Sequence, residues 1–322
     1  MASGKRRALV ALPATFALAL GVAACGDDGG TGGGGGGGSS DLSGTIKIDG
    51  SSTVAPLSEA AAEGFQAENG GVRVTVGTSG TGGGFEKFCA GETDISNASR
   101  AIEPEEEAAC KKEGIEYDEV QVANDGLAVV VNKDNDWAQC LTVDQLKTIW
   151  DKDSEVTSWK DVDPSFPDEE MKLFGPGTDS GTFDYFTEAI NGEEGRSRTD
   201  YSASEDDNVT VQGVGGSPGG IGYLGLSYAQ ENADALKVVE VDGGDGCVEP
   251  STETVQSGDY KPLGRPLFIY PKSESLQRPE VKAYLEYYIQ NATDIAEQAQ
   301  FVPLTSDQQS ESDQKVQSLA GS

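Results

Sequence analysis

The chain has 322 residues, 55 acidic against 23 basic side chains, no histidine and a formal charge of −32. So negative a surface repels nucleic acid and anionic lipid, which argues against both as partners. The missing histidine also removes the commonest general base and metal ligand.

Lys5, Arg6 and Arg7 precede an apolar run over 8–24 that Pro13 interrupts. A bilayer span needs roughly 20 apolar residues, so this run is too short and reads as a secretion signal over 1–24. Its end, Val22-Ala23-Ala24-Cys25, resembles the lipobox of bacterial lipoproteins, which implies cleavage before Cys25 and a lipid on its sulfur. Residues 26–40 are nearly all Gly, Ser, Asp and Thr, a composition that cannot build a core. With Cys25 they form a tether over 25–44, whose reach is on the order of 20 Å. The folded body begins near Thr45.

Ile46 and Ile48 alternate as a strand, Leu57, Ala61 and Phe65 recur as one face of a helix, and Val72, Val74 and Val76 alternate again. That succession predicts a parallel βαβ unit. A glycine-rich turn, "GTSGTGGGF", follows, then a short strand near Ile95, an acidic helix over 103–113 and the long β-type run "VQVANDGLAVVVN". Thr142 and Gln145 have capping-box spacing ahead of Leu146, Ile149 and Trp150. Phe183, Phe186 and Ile190 give a later helix its apolar stripe and put Asp179 or Ser180 at its N-cap. "GGIGYLGLSY" and "RPLFIYPK" read as strands, and Val281, Tyr284, Leu285, Tyr288 and Ile289 as a buried helix face. The pattern is alternating α/β, long enough for two lobes.

Besides Cys25 there are Cys89, Cys110, Cys140 and Cys247. An even number in an exported chain implies two disulfides, with three pairings open. No C-x-x-C spacing occurs, so no metal site is expected, and no cofactor motif stands out.

Three segments place small hydroxyl residues and glycine at helix starts: "GSSTVAP" (50–56), "GTSGTGGGF" (77–85) and "GTDSGTF" (177–183). Each can offer unpaired backbone N–H groups, O–H donors and a helix dipole to an oxyanion. Arg100, in "DISNASRAI", adds a guanidinium suited to bidentate contact with such a group.

With "IDGSSTVAPL", "TDISNASRAI", "VANDGLAVVVN", "PGTDSGTFDYF", "DDNVTVQGVGGSPGGIGYLG" and "RPLFIYPK", these segments resemble, in order, the phosphate-binding proteins of phosphate-specific ABC importers, the PstS family. The resemblance implies a type II periplasmic-binding-protein fold, two α/β lobes joined by two hinge strands. Lobe I would span 45–125 plus 266–322, and lobe II 126–265. Keeping each disulfide inside one lobe then favours Cys89–Cys110 and Cys140–Cys247. The resemblance also implies a phosphate site made by Ser52, Thr53, Thr81, Ser180, Gly181 and Thr182. Many members have an arginine where this chain has Pro176, and an aspartate near Ser99; here the pair Ser99-Arg100 makes Arg100 the expected single full positive charge. A carboxylate that accepts a phosphate proton while repelling sulfate is expected at Asp125, with Asp179 second.

The implied partners are inorganic phosphate and membrane permease subunits, with a monomer anchored to the cell membrane outside the cytoplasm. Another oxyanion, sulfate or molybdate, or a phosphate-sensing lipoprotein, is the alternative. "GGSPG" at 215–219 formally matches a nucleophile elbow, but Pro218 and the lack of histidine oppose a hydrolase, and no G-x-x-x-x-G-K-[ST] loop is present. The chain is therefore expected not to be an enzyme.

Overall fold

The computed structural model describes residues 42–178 and 180–321; the signal, Cys25, nearly all of the tether and Asp179 lie outside them. The chain opens with β1 (Gly44–Gly50), α1 (Ala55–Glu68) and β2 (Val72–Val76). Ile46 and Ile48 point into the core, α1 buries Leu57, Ala61 and Phe65, and β1 pairs parallel with β2. The predicted βαβ unit is thus present.

Next come α2 (Gly80–Cys89), β3 (Ile95–Ala98), α3 (Pro104–Lys112) and β4 (Val120–Asn132). The glycine segment read as a turn is helical from Gly80 onward. A Cβ at Gly84 would stand 2.4 Å from the Gly50 Cα, so the helix needs glycine there to lie close against β1. Glu103 caps α3, and its carboxylate and that of Glu106 close a capping box.

β5 (Cys140–Thr142), α4 (Val143–Trp150), α5 (Trp159–Val162), β6 (Lys172–Gly175), α6 (Gly181–Phe186) and β7 (Ser202–Ala203) follow. The axis of α6 continues through one π-helical turn, Thr187–Asn191. The chain then forms α7 (Asp207–Gly215), β8 (Gly220–Gly225), α8 (Leu226–Glu231), β9 (Leu236–Val238), β10 (Glu240–Asp242), β11 (Cys247–Val248) and α9 (Thr252–Gln256). The stretch read as one strand, "GGIGYLGLSY", ends at Gly225, and Leu226 opens α8. β12 (Gly264–Pro271), α10 (Pro279–Gln290), α11 (Ala292–Gln298) and α12 (Ser306–Gly321) complete the fold.

Nine strands form one continuous sheet in the order β2-β1-β3-β12-β4-β8-β6-β7, with β9 on the far end of β4. β4 makes the continuity: Val120 to Gly126 pair antiparallel with β12, and Leu127 to Val131 pair with β8. β4 therefore carries the chain out of the first lobe, and the segment entering β12 brings it back. A small second sheet, β11-β10-β5, flanks the second lobe.

Each lobe has its own core. Ile46, Phe65, Val120, Leu267, Tyr284 and Tyr288 pack in the first. In the second, Phe186 stacks on Tyr223 at 3.7 Å between ring centres, and Trp150 meets Tyr223 edge-on at 4.9 Å. The disulfides join Cys89 to Cys110, between α2 and α3, and Cys140 to Cys247, between β5 and β11. That is the pairing implied by a two-lobed chain.

Candidate functional site

The hydroxyl segment Ser51-Ser52-Thr53 sits between β1 and α1, where the chain leaves the carboxyl edge of a parallel strand. Ser51 and Thr53 are buried. Ser79 opens α2 and fastens that end through Asp49, which accepts from its backbone N–H (3.1 Å) and from Lys87 Nζ (2.6 Å). Thr81, on the first turn of α2, reaches Ser99 Oγ at 3.0 Å. Across the cleft Ser180 caps α6 and accepts from the Thr182 N–H at 3.2 Å.

The two lobes meet here. Ser52 Oγ donates to Asp184 Oδ2 at 3.1 Å, and Thr53 Oγ1 to the Gly181 carbonyl at 3.4 Å. A Cβ on Gly181 would stand 2.9 Å from the Thr53 N, so glycine permits this approach. Between them lies a small cavity of about 20 Å³. Ser51, Ser52, Thr53, Thr81 and Ser99 line it from the first lobe, and Asp184, Tyr185, Glu188 and Glu194 from the second.

The cation of this cavity is Arg265, at the start of β12. Its Nη2 donates to Thr53 Oγ1 at 3.0 Å, its Nε approaches Asp125 Oδ2 at 3.4 Å, and its guanidinium lies 3.4 Å over the Tyr185 ring. Tyr185 is itself held by donating to the Pro262 carbonyl at 2.7 Å. Among the described residues, therefore, the guanidinium facing the cavity is not that of Arg100. Arg100 forks onto Glu106 through two 2.8 Å hydrogen bonds and leans on Phe85, outside the cavity. The reason is local: α3 begins four residues after Arg100, and its N-cap Glu103 and first-turn Glu106 face that arginine.

The other expected residues divide. Ser52, Thr53, Thr81 and Ser99 line the cavity, and Gly181 abuts it. Ser180 and Thr182 stand at the adjoining helix start. Asp125 does not line the cavity; it is buried behind Arg265, directly opposite it in the β4–β12 register. Burial raises the Asp125 pKa, with Arg265 opposing the shift. Asp184 does face the cavity, and burial raises its pKa too, against the Ser52 hydrogen bond and Arg265. Glu188 and Glu194 stand at the exposed rim. Arg265 lies within "RPLFIYPK", where the β pattern hides its role, because only its cross-strand position opposite Asp125 shows where it points.

Such a site is preorganised for one oxygen-rich anion: hydroxyls converge from two helix starts, one guanidinium supplies charge, and nearby carboxylates disfavour an anion that brings no proton.

Comparison with known proteins identifies the family. A family model described as a PBP superfamily domain matches residues 36–292. The chain is similar to protein SphX of Synechococcus elongatus, 49% identical over 80% of this chain and 77% of the relative. It is similar to the phosphate-binding protein PstS of Staphylococcus saprophyticus, 41% identical over 86% of each chain. Among solved structures it resembles a possible phosphate-binding protein from Planctomyces limnophilus, with a TM-score of 0.84 and 47% identity over 86% of this chain and 99% of that one.

Proposed function

The chain belongs to the PBP superfamily and, within it, to the PstS family of phosphate-binding proteins, and from that premise we propose that it captures inorganic phosphate outside the cytoplasm and delivers it to an ABC-type permease. One observation carries the reading: a small cavity between the lobes gathers hydroxyls from the first lobe and the guanidinium of Arg265 against the helix start of the second. Arg265, Ser52, Thr53, Thr81 and Ser99 hold the oxyanion, and the Gly181 turn closes on it. Arg100 acts as a brace for the first lobe through Glu106.

Selectivity follows from charge. Asp125 neutralises Arg265 from behind, and Asp184 confronts the ligand with a second carboxyl group. Fully ionised sulfate meets repulsion there, whereas phosphate carries a proton that Asp184 can accept or share. Asp184 thus replaces Asp125 as the proton acceptor, because Asp125 is turned toward Arg265.

The lobes divide at 125/126 and 265/266, where β4 and β12 cross, and bending there opens the cleft. Cys25 carries the lipid and the glycine-rich segment tethers the body to the membrane; no described helix is long and apolar enough to cross one. The protein acts as a monomer that binds without catalysis. Titration calorimetry with phosphate, sulfate and molybdate tests the reading: tight binding of phosphate alone is expected, and no heat with phosphate between about pH 5 and 8 overturns it.

A further inference from the structure

Beside the oxyanion cavity lies a larger space that capture of a free oxyanion does not use. It is a groove of about 470 Å³ between the lobes, and Ser99, Tyr185, Glu188 and Arg265 face both spaces. The rest of its wall is chiefly apolar. Ala101 and Phe268 come from the first lobe, Ala189 from the π-helical turn of the second, and Pro262 and Pro266 from the returning hinge segment.

Sites for small organic ligands occupy roughly 300–1,000 Å³ and combine apolar walls with a few placed polar groups. The groove has that size and lining, and its polar end is Arg265, the same guanidinium that serves the oxyanion cavity. A bare oxyanion has no apolar surface to bury there. A phosphoryl group bearing one organic substituent does, and it keeps three terminal oxygens for the hydroxyls and Arg265.

We propose that the protein also binds organophosphoryl compounds, the phosphoryl head in the oxyanion cavity and a small apolar substituent in the groove. The inference rests on the cavity being a phosphate site. Glu188 stands where the two spaces adjoin and disfavours a second negative charge, so the substituent is uncharged. Arg100 also lines the groove, but Glu106 holds its guanidinium and it contributes wall more than charge. The shared chemistry fits both a phosphonate, with carbon on phosphorus, and a phosphate monoester, with a bridging oxygen.

Calorimetry on the full chain with phosphate, phenylphosphonate and phenyl phosphate separates these ligands. Ala101→Phe and Ala189→Leu narrow the groove from opposite lobes, and neither residue lines the oxyanion cavity. Binding of one or both phenyl compounds to the unaltered chain is expected. Each variant should weaken that binding roughly tenfold or more while changing phosphate affinity less than about threefold. Retained phosphate affinity also reports that a variant is folded. Tight phosphate binding with no response to either phenyl compound at millimolar concentration overturns the proposal and leaves the phosphate reading intact. Equal weakening of phosphate and phenyl compounds by both variants also overturns it. Failure of phosphate itself to bind overturns both.

Discussion

Replacing Arg265 with glutamine separates the two arginines that could serve this site. In the folded chain Asp125 is 5% exposed, and the Arg265 guanidinium is its charged partner at 3.4 Å. Removing one member of a buried pair costs about 3–5 kcal/mol, because the other charge stays desolvated. For a chain of this size about 2–4 °C of Tm accompanies each kcal/mol, so Arg265→Gln should melt roughly 6–20 °C lower. The double variant Arg265→Gln, Asp125→Asn removes the stranded carboxylate and should recover most of that loss. Phosphate affinity should not recover with it. A hydrogen bond to a charged partner is worth about 1.5–3 kcal/mol, or roughly 10–150-fold in Kd. Differential scanning calorimetry gives the first quantity and titration calorimetry the second. If the folded double variant bound phosphate within threefold of the parent while Arg100→Gln lost binding, the assignment of the site's cation would be wrong.

Three further outcomes follow from the same geometry. The raised Asp184 pKa means that its neutral form, which cannot accept a phosphate proton, persists above the ordinary carboxyl range, so phosphate affinity should rise as pH climbs through the raised value; Asp184→Asn should flatten that rise and strengthen sulfate binding at least about tenfold by calorimetry. Gly181→Ala places a methyl group 2.9 Å from the Thr53 N and should hinder lobe closure, weakening phosphate about tenfold with little change in Tm. Replacing Cys140 and Cys247 by serine opens a link with a sequence separation of 107 and should cost about 4–5 kcal/mol in denaturant unfolding, against about 3 kcal/mol for Cys89 and Cys110, separated by 21.

Much of this architecture is legible in the chain because it depends on local periodicity. The stripe Leu57, Ala61, Phe65 and the alternation of Ile46 with Ile48 require burial on one face, and the structure buries them. Thr142 and Gln145 cap α4 reciprocally, an interaction that spans three residues and therefore needs no tertiary context. The glycine run at 80–84 misleads for the opposite reason. Helix propensity disfavours it, yet Gly84 packs against β1, so a long-range contact overrides a local preference.

The site divides along the same line. Small hydroxyl residues beside glycine at helix starts mark the oxyanion loops within single segments, and Ser52, Thr53 and Thr81 face the cavity as their positions predict. Which arginine joins them is decided elsewhere. Arg100 has acidic partners a few residues ahead, at the start of the next helix, and turns to them. Arg265 reaches the cavity because antiparallel pairing sets it opposite Asp125, 140 residues away. Asp184 becomes part of the site only when lobe closure brings it to Ser52, 132 residues distant. By itself, then, the sequence determined the α/β elements, the hydroxyl loops and their preference for an oxyanion, all set by interactions within a few residues. Only the tertiary structure decided where the charges stand, because strand register and lobe closure join groups that no local pattern relates.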